Sequence, residues 1–529
     1  MAAGTLASRV TGIFRDIALV AAIGTGIFSD TYSVANSIPN IIYILIAGGA
    51  INAVFIPALV RHMEDDADAG KQFTDQLLTL VGLILVAIVI IAVLFAGFII
   101  HIYATSSWSP AEADVATMFA RWCLPQIFFY GLYTLATQIL NARKVFALPM
   151  FAPILNNVIV IGTALAFISM MSAVPTVNTV SSFQITLLGA GTTIGVMLQA
   201  LILIPALRKS GYSYSPSFQF RGVGNGKVGE LAKWTIGFVF VNQITFLVIS
   251  NLTTYANVLA STPGSNAIST GFTSYQKGQL MMMLPHSIIT VSVITALLPR
   301  LSRQVHDKDL GAFGSELSQS LRFVSALIIP CAAFLFVCSP WIGAFLYGYG
   351  ASTTEQGMAL GFIASMFALG LPAFSLFYVL LRSYYAQENT KTPFMINLGF
   401  NLLHIAIGSL LFFMLPENYK VAGLAVGYSI SYFLTCVFTW VSVGQRVPEL
   451  RDISHIRLLV RVMIASLLAA LVAFLLIEII FGGSFYDSAL KLGLEILSFG
   501  VAFGVAYLGL AKLMRITEVT TVLTLVKSR

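Results

Sequence analysis

Charge is what this sequence has least of. Asp, Glu, Lys and Arg make up only 10% of its 529 residues, where a soluble globular chain carries roughly 25%. That scarcity excludes an ordinary water-facing surface wrapped around one core. Long polar stretches are missing too. No segment between the apolar runs reaches the ~50 residues of a small soluble domain. Cysteine is scarce: Cys123, Cys331, Cys338 and Cys436 all fall within apolar segments and none forms a C-x-x-C pair. A zinc ribbon and a disulfide framework are therefore not indicated. Catalytic signatures are lacking as well, with no G-x-S-x-G, no H-E-x-x-H and no G-K-[ST] phosphate loop.

What the sequence has is apolar length. It is 57% hydrophobic, with a mean hydropathy of +0.88. Leu77–His101 reads "LLTLVGLILVAIVIIAVLFAGFIIH", 25 residues without an Asp, Glu, Lys or Arg. About 20 apolar residues span a bilayer. Only helices satisfy their own backbone hydrogen bonds in lipid at this length. The pattern predicts an all-α polytopic membrane protein of fourteen transmembrane helices, the first over 5–27 and the last over 489–511. The N-terminus superficially resembles a signal peptide, but charges inside its apolar region argue against cleavage.

The net charge of +7 does not point to nucleic acid, because the basic residues sit in short loops. Segments such as "RKSGYSYSPSFQFRGVGNGK" and "RVPELRDISHIR" fall on one side of the predicted helices, and the opposite loops hold only Lys420 and Lys491. That asymmetry predicts a membrane protein with both termini in the cytoplasm.

Two pairs of stretches resemble each other. "IPNIIYILIAGGAINAVFIPALVRHMED" (38–65) parallels "MLPHSIITVSVITALLPRLSRQVHD" (283–307), with Pro57 and Pro299 242 positions apart. "LPMFAPILNNVIVI" (148–161) parallels "TPFMINLGFNLLHIAI" (392–407), with Pro149 and Pro393 244 apart. Nearly one offset for two pairs predicts a six-helix unit used twice in the same orientation. Transporters with such parallel repeats place the substrate site at the repeat interface. The expected organisation is an N-lobe over 1–210, a linker over 211–228, a C-lobe over 229–445 and an appended helix pair with a short tail over 446–529.

Against this background the charges of the first span stand out. "SRVTGIFRDIALVAAIGTG" carries Arg9, Arg15 and Asp16. With a rise of 1.5 Å per residue, Arg15 lies roughly 15 Å deep in a ~30 Å core. A charge there needs a partner, a polar cavity or a ligand. One reading is an Arg–Asp pair that locks helices. The other is an anion site, because arginine holds phosphate bidentately and stays charged. Gly12, Gly24 and Gly26 would let the helix bend. Asp30 reads as the cap of the following helix or as a cation or gating group. Lys277 reads as an interfacial or a cavity-lining lysine. Arg121, Glu478 and Glu495 are open between buried and interfacial placement. Asn156, Asn401 and His404 are expected to hydrogen-bond between helices. "GQLMMMLP" is core filling or a flexible gate.

"SRVTGIFRD", "SDTYSVANSIPN" and "GGAINAVFIPAL", in this order, resemble the MurJ (MviN) family of the MOP exporter superfamily. "ILNARKVFALPMFAPILNNVIVI" and "LLRSYYAQENTKTPF" also look like that family's span junctions. The resemblance covers essentially the whole chain. It implies two six-helix lobes around a central cavity, a groove formed by spans 13 and 14 for a polyprenyl tail, and alternating access. The substrate it implies is lipid II, an undecaprenyl-pyrophosphate-linked disaccharide-pentapeptide. The implied activity is a flippase supporting cell-wall synthesis, not an enzyme. Partners would be membrane lipids and the cell-wall synthesis machinery. Arg9 and Arg15 match the family's cavity arginines, Lys277 is the candidate for a further basic residue, and Asp16 and Asp30 are the acidic candidates. No cofactor is implied; coupling to Na+, H+ or the membrane potential is. Two departures stand out: an Arg pair found in many members is Tyr43 and Ile44 here, and an acidic position is Gly48. The alternatives are a MOP-type exporter of another lipid-linked saccharide or of drugs, and an enzyme acting on polyprenyl phosphates.

Overall fold

The computed structural model describes residues 2–45, 70–218, 229–265, 267–481 and 489–519. Among them every regular element is a helix. Gly48, Pro57, the first half of the earlier repeat pair beyond residue 45, most of the predicted linker and the C-terminal ten residues lie outside the described residues. The helices pack into two compact units.

The first unit comprises Met1–Ser265, Gly271–Thr273 and Tyr349–Ser352. Its helices are α1 (Ala2–Ile23), α2 (Ile27–Tyr43), α3 (Lys71–Leu94), α4 (Ala96–Tyr103), α5 (Pro110–Cys123), α6 (Gln126–Ala142), α7 (Ala147–Ser169), α8 (Ser182–Leu201), α9 (Ile204–Lys209) and α10 (Gly229–Ala260). A buried aromatic seam holds them. Phe28 and Tyr32 of α2 pack on Phe119 of α5 with ring centroids 5.8 and 5.3 Å apart. Tyr32 places its hydroxyl 2.8 Å from Thr192 of α8, so the phenol is satisfied inside the seam. The same α2 therefore carries both apolar packing and a polar face. α10 is fastened to α4 by Ser250 and Asn251, which donate to the carbonyls of Tyr103 and Ile102 at 2.7 and 2.9 Å.

The second unit holds α11 (Phe272–Pro285) from Ser274 onward, α12 (Val291–His306), α13 (Leu310–Tyr347), α14 (Thr354–Tyr385), α15 (Lys391–Met414), α16 (Lys420–Gly444), α17 (Ile453–Phe481) and α18 (Ala489–Leu513). A π-helical turn, His286–Thr290, joins α11 to α12 just after Pro285. Met281 and Met282 ahead of it are buried, so they fill core. α17 turns Val462, Ala465, Ala469 and Ala473 onto Phe499 and Phe503 of α18 and onto α13. Small residues allow that close approach where lipid supplies no hydrophobic drive between helices. Tyr507 closes the seam by donating to the Ala326 carbonyl at 2.7 Å.

Eleven helical segments are long and apolar enough to cross a membrane. Each of the fourteen expected spans overlaps a helix. Three fall short of that standard, for separate reasons. α1 carries three charges. The second expected span is described only to residue 45. The fourth is split at Leu124 and Pro125 into α5 and α6, because Pro125 has no N–H to return to the carbonyl four residues back.

The repeat is visible in the backbone. Pro149 and Pro393 both sit in the first turn of their helices, where a missing N–H costs nothing. Ser109 with Glu112, and Thr353 with Gln356, form capping boxes at the starts of α5 and α14. Lys144 and Glu388 are both left-handed, at φ 63° and 55°. Each pair is separated by the same 244 residues as the prolines.

Candidate functional site

α1 presents Ser8, Thr11 and Arg15 along one flank, spaced at three and four residues so that they stack on one face. α7 answers with a single residue, Asn157. Its amide nitrogen donates to the Ser8 carbonyl at 3.1 Å and to the Thr11 hydroxyl at 2.9 Å. Its oxygen accepts from Arg15 Nη1 at 3.2 Å. Arg15 also donates from Nε and Nη2 to Asp16 Oδ1, at 3.3 and 3.2 Å. The Asp16 side chain is 2% exposed and that of Arg15 is 32% exposed. A guanidinium has five N–H groups, and three are engaged. One N–H on each terminal nitrogen remains without a partner among the described residues. That pair is the fork with which arginine meets phosphate or carboxylate bidentately. Arg9 lies half-buried on the same helix.

Gly12 lies within α1, and the helix ends just before Gly24. Gly24, at φ 73°, takes the left-handed conformation that ends a helix, its N–H returning to the Val20 carbonyl at 2.7 Å.

Asp30 is fully buried in the first turn of α2. It does not cap its own helix, whose N-cap is Gly26 with no side-chain bond. Its carboxylate accepts instead from the backbone N–H groups of Phe272 and Thr273 at 3.1 and 2.8 Å. These begin α11, where the first N–H groups have no intrahelical acceptor and a negative charge is favoured by the helix dipole. The Asn257 amide adds a bond at 2.8 Å, and Ser29, Thr273 and Ser33 form a hydroxyl chain beside it at 3.0 and 2.9 Å. Gly271 makes the approach feasible, since a Cβ there would collide with the Asp30 carboxylate.

The remaining candidates separate cleanly. Lys277, on α11 of the second unit, is buried rather than interfacial. Arg121 and Glu478 are exposed, whereas Glu495 is buried. Tyr43 donates to Thr134 at 2.7 Å, and Ile44 is 36% exposed. Asn156 Oδ1 finds no bond among the described residues; its neighbour Asn157 makes the contacts between helices. His404 packs tilted against Phe400 and edge-on to Tyr428, its Nε2 unbonded among the described residues. Asn401 donates to the Asn397 carbonyl of its own helix at 2.8 Å.

The family model described as "Lipid II flippase MurJ" matches residues 19–499. The chain belongs to the MurJ family. The matched range includes Asp30 and Lys277 and begins just past Arg9, Arg15 and Asp16. Among curated MurJ relatives, the "Lipid II flippase MurJ" of Burkholderia cenocepacia is 28% identical over 449 residues, 84% of this chain and 82% of that one. The "Probable lipid II flippase MurJ" of Thermotoga maritima is 28% identical over 436 residues, 82% of each chain. A solved structure of "Lipid II flippase MurJ, inward closed conformation" superposes with a TM-score of 0.75 at 23% identity, covering 97% of this chain and 98% of that one. An inward-facing MATE transporter of the MOP superfamily superposes at 0.64 with 13% identity, covering 84% and 95%. The MurJ fold is thus a multi-pass helical membrane fold shared with MOP exporters.

Two residues of the polar network were not legible as such. Asn157 was half of an Asn-Asn pair in a quoted apolar stretch, which signalled a polar seam without saying which of the two faces α1. Asn257 carried no sequence signal, because its partner Asp30 lies 227 residues away.

Proposed function

We propose that this chain flips lipid II from the cytoplasmic to the outer leaflet, supporting cell-wall synthesis. Membership of the MurJ family over residues 19–499 carries the reading. The protein acts as a transporter, and no covalent chemistry is required. The task is electrostatic: a pyrophosphate in hydrocarbon is prohibitively unfavourable unless its hydration is replaced. Arg15 supplies two free N–H groups on a guanidinium fixed by Asp16 and Asn157. Fixing the fork in advance lowers the ordering penalty of binding. Arg9, one face away on α1, is the second pyrophosphate ligand; Lys277, on α11, is a further substrate-binding residue. Asp16 and Asn157 hold the guanidinium in place whether the site is empty or filled.

Asp30 is the gating group. While its carboxylate takes the N–H groups of Phe272 and Thr273, α2 and the start of α11 are joined. A cation or proton at Asp30 would weaken those bonds and release the start of α11, coupling the cycle to Na+, H+ or the membrane potential. Both termini lie in the cytoplasm, and the pyrophosphate leaves down an inside-negative potential worth about 2.3 kcal/mol per charge per 100 mV. The α17–α18 pair carries the polyprenyl tail, and cell-wall synthesis enzymes take the product.

The test uses bacteria whose own lipid II flippase can be shut off. Outer-leaflet lipid II is quantified with this chain and with Arg15→Ala. Exposure with the chain and its loss in the variant support function and site together. No exposure, with the protein present in the membrane, overturns the function. Exposure with both removes Arg15 from the site.

A further inference from the structure

A second feature of the first unit lies away from the charged seam. Residues 210–218, directly after α9, do not leave the helices as a free linker but fold back across the start of α3. Tyr212 donates to Asp75 Oδ1 at 2.6 Å and the Ser215 N–H to the same oxygen at 3.3 Å. One turn on, Thr79 meets the Tyr214 hydroxyl at 2.9 Å and accepts the Ser217 N–H at 3.1 Å. Arg143 completes the strap, donating to the Ser210 carbonyl at 2.7 Å and lying 5.5 Å from the Tyr212 ring centroid.

Beneath the strap is a cavity of about 680 Å³, within the ~300–1,000 Å³ range of small-ligand sites. Leu78, Leu85, Leu132, Leu135 and Ile139 wall it, and Tyr214 and Phe218 roof it. Leu83 and Val86 also line it and are 49% and 44% exposed, so it opens on the apolar flank of the unit. Gly82 faces it with nothing within 4 Å of where a Cβ would stand. The lining has one charge, Arg208, which makes no hydrogen bond or ion pair among the described residues. Lys209 and Lys144 are exposed beside it in sequence and beside Arg143, respectively. The carboxylate that holds the strap, Asp75 of α3, is already taken by Tyr212, Ser215 and Lys71. An apolar chamber open to lipid, with an unanswered cation at its basic end, has the shape and charge of an anionic amphiphile.

We propose that this cavity holds an acyl chain of one anionic glycerophospholipid, whose phosphate is bound by Arg208. The bound lipid packs the strap onto α3 and α6, a structural role separate from the transported substrate. The site is independent of Arg9, Arg15 and Asp30, so it stands or falls apart from the flippase reading.

The full chain is reconstituted with phosphatidylglycerol or phosphatidylcholine carrying a photoactivatable group in one acyl chain, and the crosslinked peptides are mapped. Labelling by phosphatidylglycerol is expected to concentrate on residues 78–86 and 128–139. Gly82→Phe, which fills the chamber, is expected to reduce it to the level of the exposed outer face of α17; the smaller Gly82→Leu gives a partial reduction. Arg208→Gln is expected to keep chain labelling but lower the preference for phosphatidylglycerol about fivefold, the worth of one basic residue near an anionic surface. Even labelling over all apolar faces overturns the proposal, as does labelling insensitive to Gly82→Phe. Displacement of the probe by a polyprenyl pyrophosphate overturns it in favour of a substrate-tail site.

Discussion

Asn157 on α7 and Asn401 on α15 are 244 residues apart, the same step that separates the paired prolines, capping boxes and left-handed residues. In the first unit the asparagine is wired to charge: it binds Arg15, Thr11 and the Ser8 carbonyl of a neighbouring helix. In the second it donates to the Asn397 carbonyl of its own helix, and its neighbours in sequence join a cluster of rings. Phe400 meets Tyr432 tilted at 4.0 Å, and edge-on contacts join Tyr428 to Tyr432 at 4.7 Å and His404 to Tyr428 at 5.4 Å. Ring pairs of this kind contribute about 0.5–1.5 kcal/mol each beyond burial. A backbone repeat was kept while its side chains diverged. The first copy holds an ionic group half open, which is a poor way to gain stability and a good way to keep a ligand site. The second copy is closed and apolar, the arrangement of a supporting element.

The largest expected effect breaks this comparison at its charged end. Arg15→Ala should lower outer-leaflet lipid II at least tenfold, since a charge-assisted hydrogen bond is worth about 1.5–3 kcal/mol and two face the ligand. Arg15→Lys should restore little, because an ammonium lacks the fork. His404→Phe, in the ring-lined copy, should leave exposure within about twofold. Equal losses from both would erase the distinction between the units.

Asp30→Ala comes next. It strips the acceptor from two backbone N–H groups and from Asn257 inside a fully buried site. Leaving buried donors unmatched costs about 1–3 kcal/mol, read as lost resistance of the purified protein to denaturant. Asp30→Asn, which keeps one oxygen, should lose less.

The sequence displayed some of this and hid the rest. Membrane class, helix positions and the repeat were legible because they rest on apolar run length and on proline spacing, both local signals. The Arg15–Asp16 pair was legible because its members are adjacent. Of the two readings of Asp30, the local cap fails, since the acceptor-hungry helix start that it serves lies 242 residues on. The strap over α3 was read as a free linker, because Ser, Tyr and Gly signal a loop without naming the Asp75 and Thr79 that bind it.

The asparagines themselves give a sharper and smaller test. Asn157→Leu removes three bonds to α1 and should destabilise the purified protein by about 1–2 kcal/mol, at the ~0.6 kcal/mol average for hydrogen bonds between membrane helices. Asn401→Leu removes the bond to the Asn397 carbonyl of its own helix and should cost less than the three bonds of Asn157. A reversed order would mean that the ring-lined copy, not the charged one, depends on its polar group.

The smallest effect concerns how each copy ends. After its sixth span the first copy ties its chain back with a phenol, Tyr212 to Asp75. After its own sixth span the second uses a guanidinium, Arg451, which donates to the carbonyls of Gly444 and Gln445 at 2.6 and 3.0 Å. Tyr212→Phe should cost about 1 kcal/mol in denaturant unfolding, the worth of one intramolecular hydrogen bond. The two ties also differ in their response to alkali. Burial, and then the Asp75 carboxylate, raise the Tyr212 phenol above its ordinary value. A group raised in the folded state contributes fully below its unfolded value, ~10 for tyrosine, and loses that contribution only as pH climbs through the higher folded one. The gap between the native chain and Tyr212→Phe should therefore hold constant from about pH 7 to 9.5. A gap that closed within that range would mean the phenol already ionises there, and that the carboxylate beside it is not its acceptor.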